Sequence, residues 1–233
     1  MFRISVFDLA DTELIIFDCD GVLVDTEPLA NEVLSQHASA MGWTMDGPTS
    51  MIIFRGMTIS QVHARIENEL GQNLSEAWID QYYDECFEIF KTELTAVDGA
   101  TELVKQAISL GRKICVASQG PHRKMQLTLA VTGLREYFDG HIFSAHDVAR
   151  PKPFPDLFLH AAHMMKTRPD RCCVIEDSLT GVRAALAANM KVIHLTTDKI
   201  LNADNIDSTD EVARVSHLNQ IKARLSSPDP AIK

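Results

Sequence analysis

The stretch Leu14-Ile15-Ile16-Phe17-Asp18-Cys19-Asp20-Gly21 decides how this chain is read. Four consecutive apolar residues without polar alternation predict a strand buried on both faces, as strands of parallel sheets are. Asp18 and Asp20 follow two residues apart, so on an extended backbone their side chains share a side. Gly21 then permits a sharp turn, because it carries no Cβ. A similar phrase stands ten residues earlier, Phe7-Asp8-Leu9-Ala10-Asp11. There the two carboxylates are three residues apart, would point to opposite faces of a strand, and have no glycine behind them. A turn or an N-terminal extension suits that phrase better than a reactive site.

Working outward, the strand-like runs are Leu14–Asp18, Lys113–Ala117, His141–Ser144, Cys172–Ile175 and Lys191–Leu195. Helical patterns lie between them: Ala100–Leu110 with Gly111 as its stop, Pro121–Val131 opening on proline, Pro155–Met165 and Thr180–Ala188. This alternation predicts an α/β fold with a doubly wound, Rossmann-like parallel sheet. Between Asp25 and Val97 no strand pattern occurs, only helical segments near Pro28–Met41, Thr58–Leu70 and Glu76–Glu93. About 70 residues are thus inserted after the first strand, enough for a small all-helical subdomain. The expected division is a core of residues 1–26 and 98–233 around an insert of residues 27–97. The tail after Ser226 reads as frayed.

Composition narrows the function classes. The chain has 233 residues, a net charge of -10 and a pI near 5.3, which argues against a duplex nucleic-acid binder. Its apolar runs fall short of the ~20 residues that a membrane span needs. The N-terminus lacks the pattern of a secretory leader. Five cysteines, odd in number and without metal-type spacing, fit a reduced, cytoplasmic compartment. The expected partner is a small molecule, with no nucleic acid and no membrane, and the chain is expected to act as a monomer or a dimer.

Ligands of open parallel sheets bind beyond the carboxyl ends of the strands. Those ends carry Asp18 and Asp20, then Ser118, then Glu176 and Asp177, with Lys152 in Arg150-Pro-Lys-Pro-Phe-Pro-Asp156 after the third core strand. Carboxylates brought together repel unless a cation or a shared proton compensates. Hard oxygen ligands without histidine or cysteine point to Mg2+ rather than zinc. Each position also has a plainer reading. Glu176-Asp177-Ser178 could cap the helix that starts near Thr180, Ser118 could be a turn serine, and Lys152 could be a surface lysine.

Four phrases in order, FDCDGVLVDTEP, ASQGP, RPKPFPD and VIEDSLTGVRAALAANM, resemble the motifs of the haloacid dehalogenase superfamily. The similarity is to its phosphatase branch, the β-phosphoglucomutase-like group with a helical cap. It covers nearly the whole chain apart from the first ten or so residues and the tail. The resemblance implies Asp18 as a nucleophile forming an aspartyl-phosphate and Asp20 as general acid, then base. It implies Ser118 as a phosphate-oxygen ligand and Lys152 as the cation that neutralises the transferring phosphoryl group and restrains Asp18. Mg2+ would be held by Asp18, Asp177 and the Asp20 backbone carbonyl, with Glu176 as an added or outer ligand. Gln119, beside Ser118, is a further candidate substrate contact. In the cap, Phe54-Arg-Gly-Met-Thr58 resembles the group's cap loop, which makes Arg55 a candidate contact to an anionic substrate; a surface arginine before a helix is the alternative.

The activity this implies is Mg2+-dependent hydrolysis of a small phosphorylated metabolite, a sugar phosphate or a sugar-acid phosphate. SQGPHRKMQ resembles SNGPxxKMQ, a form of the 6-phosphogluconate phosphatase-like members of the group. A phosphosugar mutase is the first alternative. Mutases of the group read DTAEYH where this chain reads DTEPLA, with Ala30 in place of the histidine, which favours hydrolysis. A non-catalytic binding module is the second alternative, yet Asp18, Asp20, Lys152 and Asp177 are all retained. No GxSxG elbow, Walker loop or GxGxxG supports a serine hydrolase, an NTPase or a dinucleotide enzyme.

Overall fold

A computed structural model describes residue 7 and residues 9–55, 57–75, 77–196 and 211–225. In chain order, β1 (Leu14–Phe17) precedes α1 (Glu27–Ala40), α2 (Gly47–Ile53), α3 (Ile59–Leu70) and α4 (Trp78–Glu93). Then come α5 (Ala100–Ser109), β2 (Lys113–Ser118), α6 (His122–Val131), β3 (Ile142–Ser144) and α7 (Asp156–Met164). The chain continues through β4 (Cys172–Glu176), α8 (Leu179–Ala187), β5 (Lys191–Leu195), β6 (Val212–Val215) and α9 (Leu218–Leu225). Asp8, Gly56, Glu76 and the tail after Ser226 lie outside the described residues. The chain packs as two compact units, one divided between residues 1–24 and 96–233, the other Asp25–Thr95. The sequence reading sets the insert at 27–97.

The first unit is a parallel six-stranded sheet in the order β3-β2-β1-β4-β5-β6. Every second residue of its central strands faces α7 and α8. Leu14, Ile16, Cys115, Ala117, Cys172 and Val174 share one buried cluster with Leu157, Phe158, Ala161, Val182 and Ala185. The intervening residues Ile15, Phe17, Val116 and Ile175 are buried as well. That double burial is why these strands read as unbroken apolar runs. The strand order reverses beside β1, which has β2 on one side and β4 on the other. Phe17 is in register with both Val116 and Ile175. Asp18 therefore leaves the sheet level with the last residues of its two neighbours, at the switch point where open α/β sheets place their ligands.

Two parts of this unit go beyond the sequence reading, β6 and α9. Strand β6 is Val-Ala-Arg-Val, too short and too interrupted by Arg214 to show a pattern; it pairs with β5 from Val192↔Val212 to Leu195↔Val215. Helix α9 (LNQIKARL) is short and polar, although Leu218 and Ile221 are buried. All five cysteines are free and buried. Burial pushes the Cys172 and Cys173 thiols up to about 12, so their thiolate chemistry is suppressed.

The second unit is helical. Trp78 and Tyr82 stack at 5.8 Å, with the ring of His37 edge-on to both; Val33, Leu34, Val62, Ile66 and Phe90 are buried in the same unit. A reciprocal cap fixes the start of α3, where the Gln61 amide N–H donates to Thr58 Oγ1 and the Thr58 N–H to Gln61 Oε1. Helix α2 was not expected, because Gly-Pro and three β-branched residues in seven resemble a loop. Asp46 Oδ1 accepts from the Thr49 N–H at 2.8 Å and Pro48 occupies its first turn, which is a sufficient start signal for a short helix. Arg55 follows α2 and is exposed. Among the described residues no helix is long and apolar enough to cross a membrane.

Candidate active site

Asp18 extends β1 by one hydrogen bond, its N–H donating to the Ile175 carbonyl at 2.9 Å. The chain then turns at once. Leu23 and Val24 donate back to the Cys19 carbonyl, and the Gly21 N–H donates to Val24 O. Gly21 has φ +74°, and a Cβ there would run into the Asp177 carboxylate. The glycine is thus required twice, for its backbone conformation and for the space that Asp177 fills.

The oxygen atoms that Asp18, Glu176 and Asp177 offer lie within 4.8 Å of one another. Lys152 is buried among them. Its Nζ donates to Asp18 Oδ1 at 2.6 Å and to Glu176 Oε2 at 2.7 Å, and sits 4.9 Å from the centre of the Phe158 ring. The other Glu176 oxygen accepts from the Ser178 N–H and hydroxyl. Ser178 Oγ in turn accepts from the Gly181 N–H, capping α8. The helix cap is therefore Ser178, while the two acids before it face the cluster. A Cβ at Gly181 would overlap the Glu176 carboxylate, so that glycine admits the buried acid.

Two carboxylates share one lysine, and they divide it unequally. Burial disfavours the charged form of Glu176, but the Lys152 ammonium and the Ser178 hydrogen bonds outweigh it and hold the pKa below the usual value. Asp18 is pushed up to about 7, first by burial and then by the Glu176 charge, with Lys152 only partly compensating and Asp20 adding to the rise. Burial alone would lower Lys152, yet the charges of Asp18 and Glu176 raise it above the ordinary lysine value. The cluster thus holds more negative charge than its single cation balances, on hard oxygen donors with no sulfur or imidazole among them. That donor set fits a divalent cation of the Mg2+ type.

Ser118 ends β2, buried, and its hydroxyl accepts from the Gly120 N–H at 3.2 Å. Gln119 is half-buried in the turn that follows. A Cβ placed on Gly120 would lie 3.5 Å from the stem of Lys124, 3.7 Å from Ser118 Oγ and 3.8 Å from Asp20 Oδ2. Ser118, Asp20 and Lys124 therefore surround one glycine turn. The Asp20 carboxylate, half-buried, is ion-paired through Oδ1 with Lys124 Nζ at 2.8 Å. Asp11 is at the other end of the sheet, exposed and paired with Arg171 Nη1 at 2.8 Å, one residue before β4 begins. Arg55 belongs to the helical unit.

Three residues near the site had no role in the sequence reading. Lys124 lies inside the quoted SQGPHRKMQ phrase but faces Asp20 only once α6 is folded. Ser144, in register with Ser118, donates its hydroxyl to the Gly120 carbonyl at 2.7 Å. His194 follows the register pair Glu176↔His194, and its Nε2 donates to the Asp177 carbonyl at 3.1 Å. Burial holds the His194 imidazole below its usual pKa, and Nδ1 is buried without a partner. A run of three basic residues at a helix start was the available signal for Lys124; a histidine inside an apolar strand gives none.

A parallel sheet with an acidic, lysine-bridged centre at its switch point defines a hydrolase of the haloacid dehalogenase type. The family model for haloacid dehalogenase-like hydrolases matches residues 12–189, and the chain belongs to that family. It is an enzyme of the family's phosphatase kind, built around an acidic cluster whose donors fit a divalent metal. Its similarity to 6-phosphogluconate phosphatase of Escherichia coli (strain K12) is 30% identity over 187 residues, covering 80% of this chain and 83% of that protein. A haloacid dehalogenase-like protein of unknown function from Agrobacterium tumefaciens has 30% identity and a TM-score of 0.74, over 91% of this chain and 96% of that one. A family hydrolase from Deinococcus radiodurans, solved with bound phosphate and sodium, gives 27% identity and a TM-score of 0.73, over 93% and 96% of the two chains.

Proposed function

We propose that the chain hydrolyses the monoester of a phosphorylated sugar or sugar acid, 6-phosphogluconate being the first candidate, through a phosphorylated Asp18. The observation that carries this reading is Lys152, buried and bridging Asp18 to Glu176 at 2.6 and 2.7 Å. A lysine so placed fixes the attacking carboxylate and lays positive charge where a phosphoryl group must approach. The substrate class rests on the similarity to 6-phosphogluconate phosphatase and on the SQGPHRKMQ phrase.

In the first step an Asp18 oxygen bonds to phosphorus while the ester P–O bond breaks. Asp20 gives its proton to the departing alcohol oxygen. In the second step a water oxygen attacks phosphorus, Asp20 takes the water proton, and the Asp18 carboxylate is released with inorganic phosphate. The Ser118 hydroxyl, at the start of the α6 turn, holds a phosphoryl oxygen, with Gln119 beside it. Asp18, Asp177 and the Asp20 carbonyl would hold Mg2+, with Glu176 kept by Lys152 and Ser178 as an outer support. The cation, when bound, would offset negative charge and orient the in-line transfer. Residues 27–97 would act as the substrate-selecting cap, with Arg55 as an anion contact. The free, buried cysteines suit a reduced compartment such as the cytoplasm.

The test is a phosphate-release screen over phosphorylated sugars, sugar acids and nucleotides with Mg2+, run beside Asp18→Asn. Release from sugar or sugar-acid phosphates, abolished in the variant, is the expected result. Wild-type turnover by Asp18→Asn would remove Asp18 as nucleophile. Conversion of β-glucose 1-phosphate to the 6-phosphate without phosphate release would make the enzyme a mutase.

A further inference from the structure

The only buried polar side chain of β5 (KVIHL) is His194, 5% exposed. Val192, on the same face of the strand, joins the apolar cluster against α7 and α8. The two ring nitrogens of His194 are used unequally. Nε2 donates to the Asp177 carbonyl at 3.1 Å, while Nδ1 is buried with no partner among the described residues. A carbonyl oxygen can only accept, so the contact itself puts a proton on Nε2, whether the ring is neutral or charged. Burying the other nitrogen without a partner costs stability that valine or isoleucine would not. What the imidazole adds at this place is its hydrogen bond to Asp177.

That carbonyl belongs to the peptide between Asp177 and Ser178, and the other edge of the same peptide is held too. The Ser178 N–H donates to Glu176 Oε1 at 3.0 Å. Glu176 is the last residue of β4 and stands in register with His194. Asp177 therefore lies between a residue bound into the sheet and a planar peptide fixed at both edges, and the direction of its Cα–Cβ bond follows. Its carboxylate fills the space beside Gly21 and offers an oxygen within 4.8 Å of those of Asp18 and Glu176. We propose that His194 is a positioning residue for the metal site: by holding the Asp177 carbonyl it fixes the Asp177 carboxylate and so favours Mg2+ over Ca2+. This rests on the reading of Asp177 as a metal ligand. Mg2+ demands near-ideal octahedral geometry, whereas Ca2+ accepts more oxygens in looser arrangements. Loosening one ligand therefore costs Mg2+ binding more than Ca2+ binding.

The test measures Mg2+ and Ca2+ dissociation constants by titration calorimetry of the chelator-stripped full chain, with no substrate present. His194→Phe keeps a ring of similar size but removes the donor. It should weaken Mg2+ binding by about 10-fold or more and Ca2+ binding by less than about 3-fold. Glutamine can bring its amide nitrogen near the place of Nε2, so His194→Gln should recover most of the Mg2+ affinity. Asparagine is too short, and His194→Asn should resemble the phenylalanine variant. Should the phenylalanine variant melt early, His194→Leu repeats the comparison. Unchanged Mg2+ affinity in the variants that lack the donor, or equal weakening of both ions, would overturn the proposal. Asp177→Asn separates the two levels. If it loses Mg2+ binding and the His194 variants do not, only the role of His194 falls. If Asp177→Asn binds Mg2+ as the wild type does, the reading of Asp177 as a ligand falls with it.

Discussion

Replacing Asp18 by asparagine should stabilise the metal-free protein at alkaline pH while abolishing turnover. Asp18 is pushed up from 3.8 to about 7, by burial first and by Glu176 second. A carboxyl whose folded pKa lies above its unfolded value binds more protons folded than unfolded, so stability falls as pH rises between the two values. At about 1.4 kcal/mol per pKa unit, most of the fall between pH 5 and pH 8 is captured, about 2 to 3 kcal/mol. Asparagine cannot ionise, and its carbonyl oxygen can still accept from Lys152. The assay is denaturant unfolding of both proteins in chelator at pH 5 and pH 8. Between the two pH values the wild type should lose about 2 to 3 kcal/mol more than the variant, and Mg2+ at pH 8 should restore the wild type more than the variant. Parallel pH profiles in chelator would refute the assignment of excess buried charge to Asp18.

Lys152→Met leaves Asp18 and Glu176 buried without their shared cation and should cost about 3–5 kcal/mol in denaturant unfolding at pH 8, with no measurable phosphate release. Gly21→Ala strains a backbone at φ +74° and displaces the Asp177 carboxylate; in a Mg2+ titration of activity the half-saturating concentration should rise by ~10-fold or more. Asp11→Ala breaks a pair with Arg171 at the opposite end of the sheet, so kcat/KM should change by less than about 2-fold and stability by under ~1 kcal/mol.

The strands at the centre of the sheet were legible because burial on both faces forces an unbroken apolar run, and Leu14–Phe17 and Cys172–Ile175 show it plainly. Asp18, Lys152, Glu176 and Asp177 were legible for a related reason: a parallel sheet presents its strand ends at one edge. What stayed hidden depends on neighbours that the local pattern does not encode. Strand β6 has four residues, one of them arginine, and is specified by the edge that β5 offers it. Lys124 meets Asp20 across 104 positions, through the folding of α6 against the glycine turn. His194 looks like any residue of its strand until Glu176 is found beside it.

The Ser178 hydroxyl has a single proton, and the structure commits it. It goes to Glu176 Oε1, while the oxygen accepts from the Gly181 N–H and the Thr180 hydroxyl. The Ser178 N–H and hydroxyl both donate to Oε1 and the Lys152 ammonium donates to Oε2, and all three contacts are stronger to the charged carboxylate. The serine works as a one-way peg: the helix end fixes the direction of the O–H bond, and the O–H bond adds to the Lys152 charge in favouring the Glu176 anion. The negative charge beneath Asp18 is therefore held by Lys152 and by the start of α8 together rather than by solvent, and a change of helix cap would be read at the nucleophile.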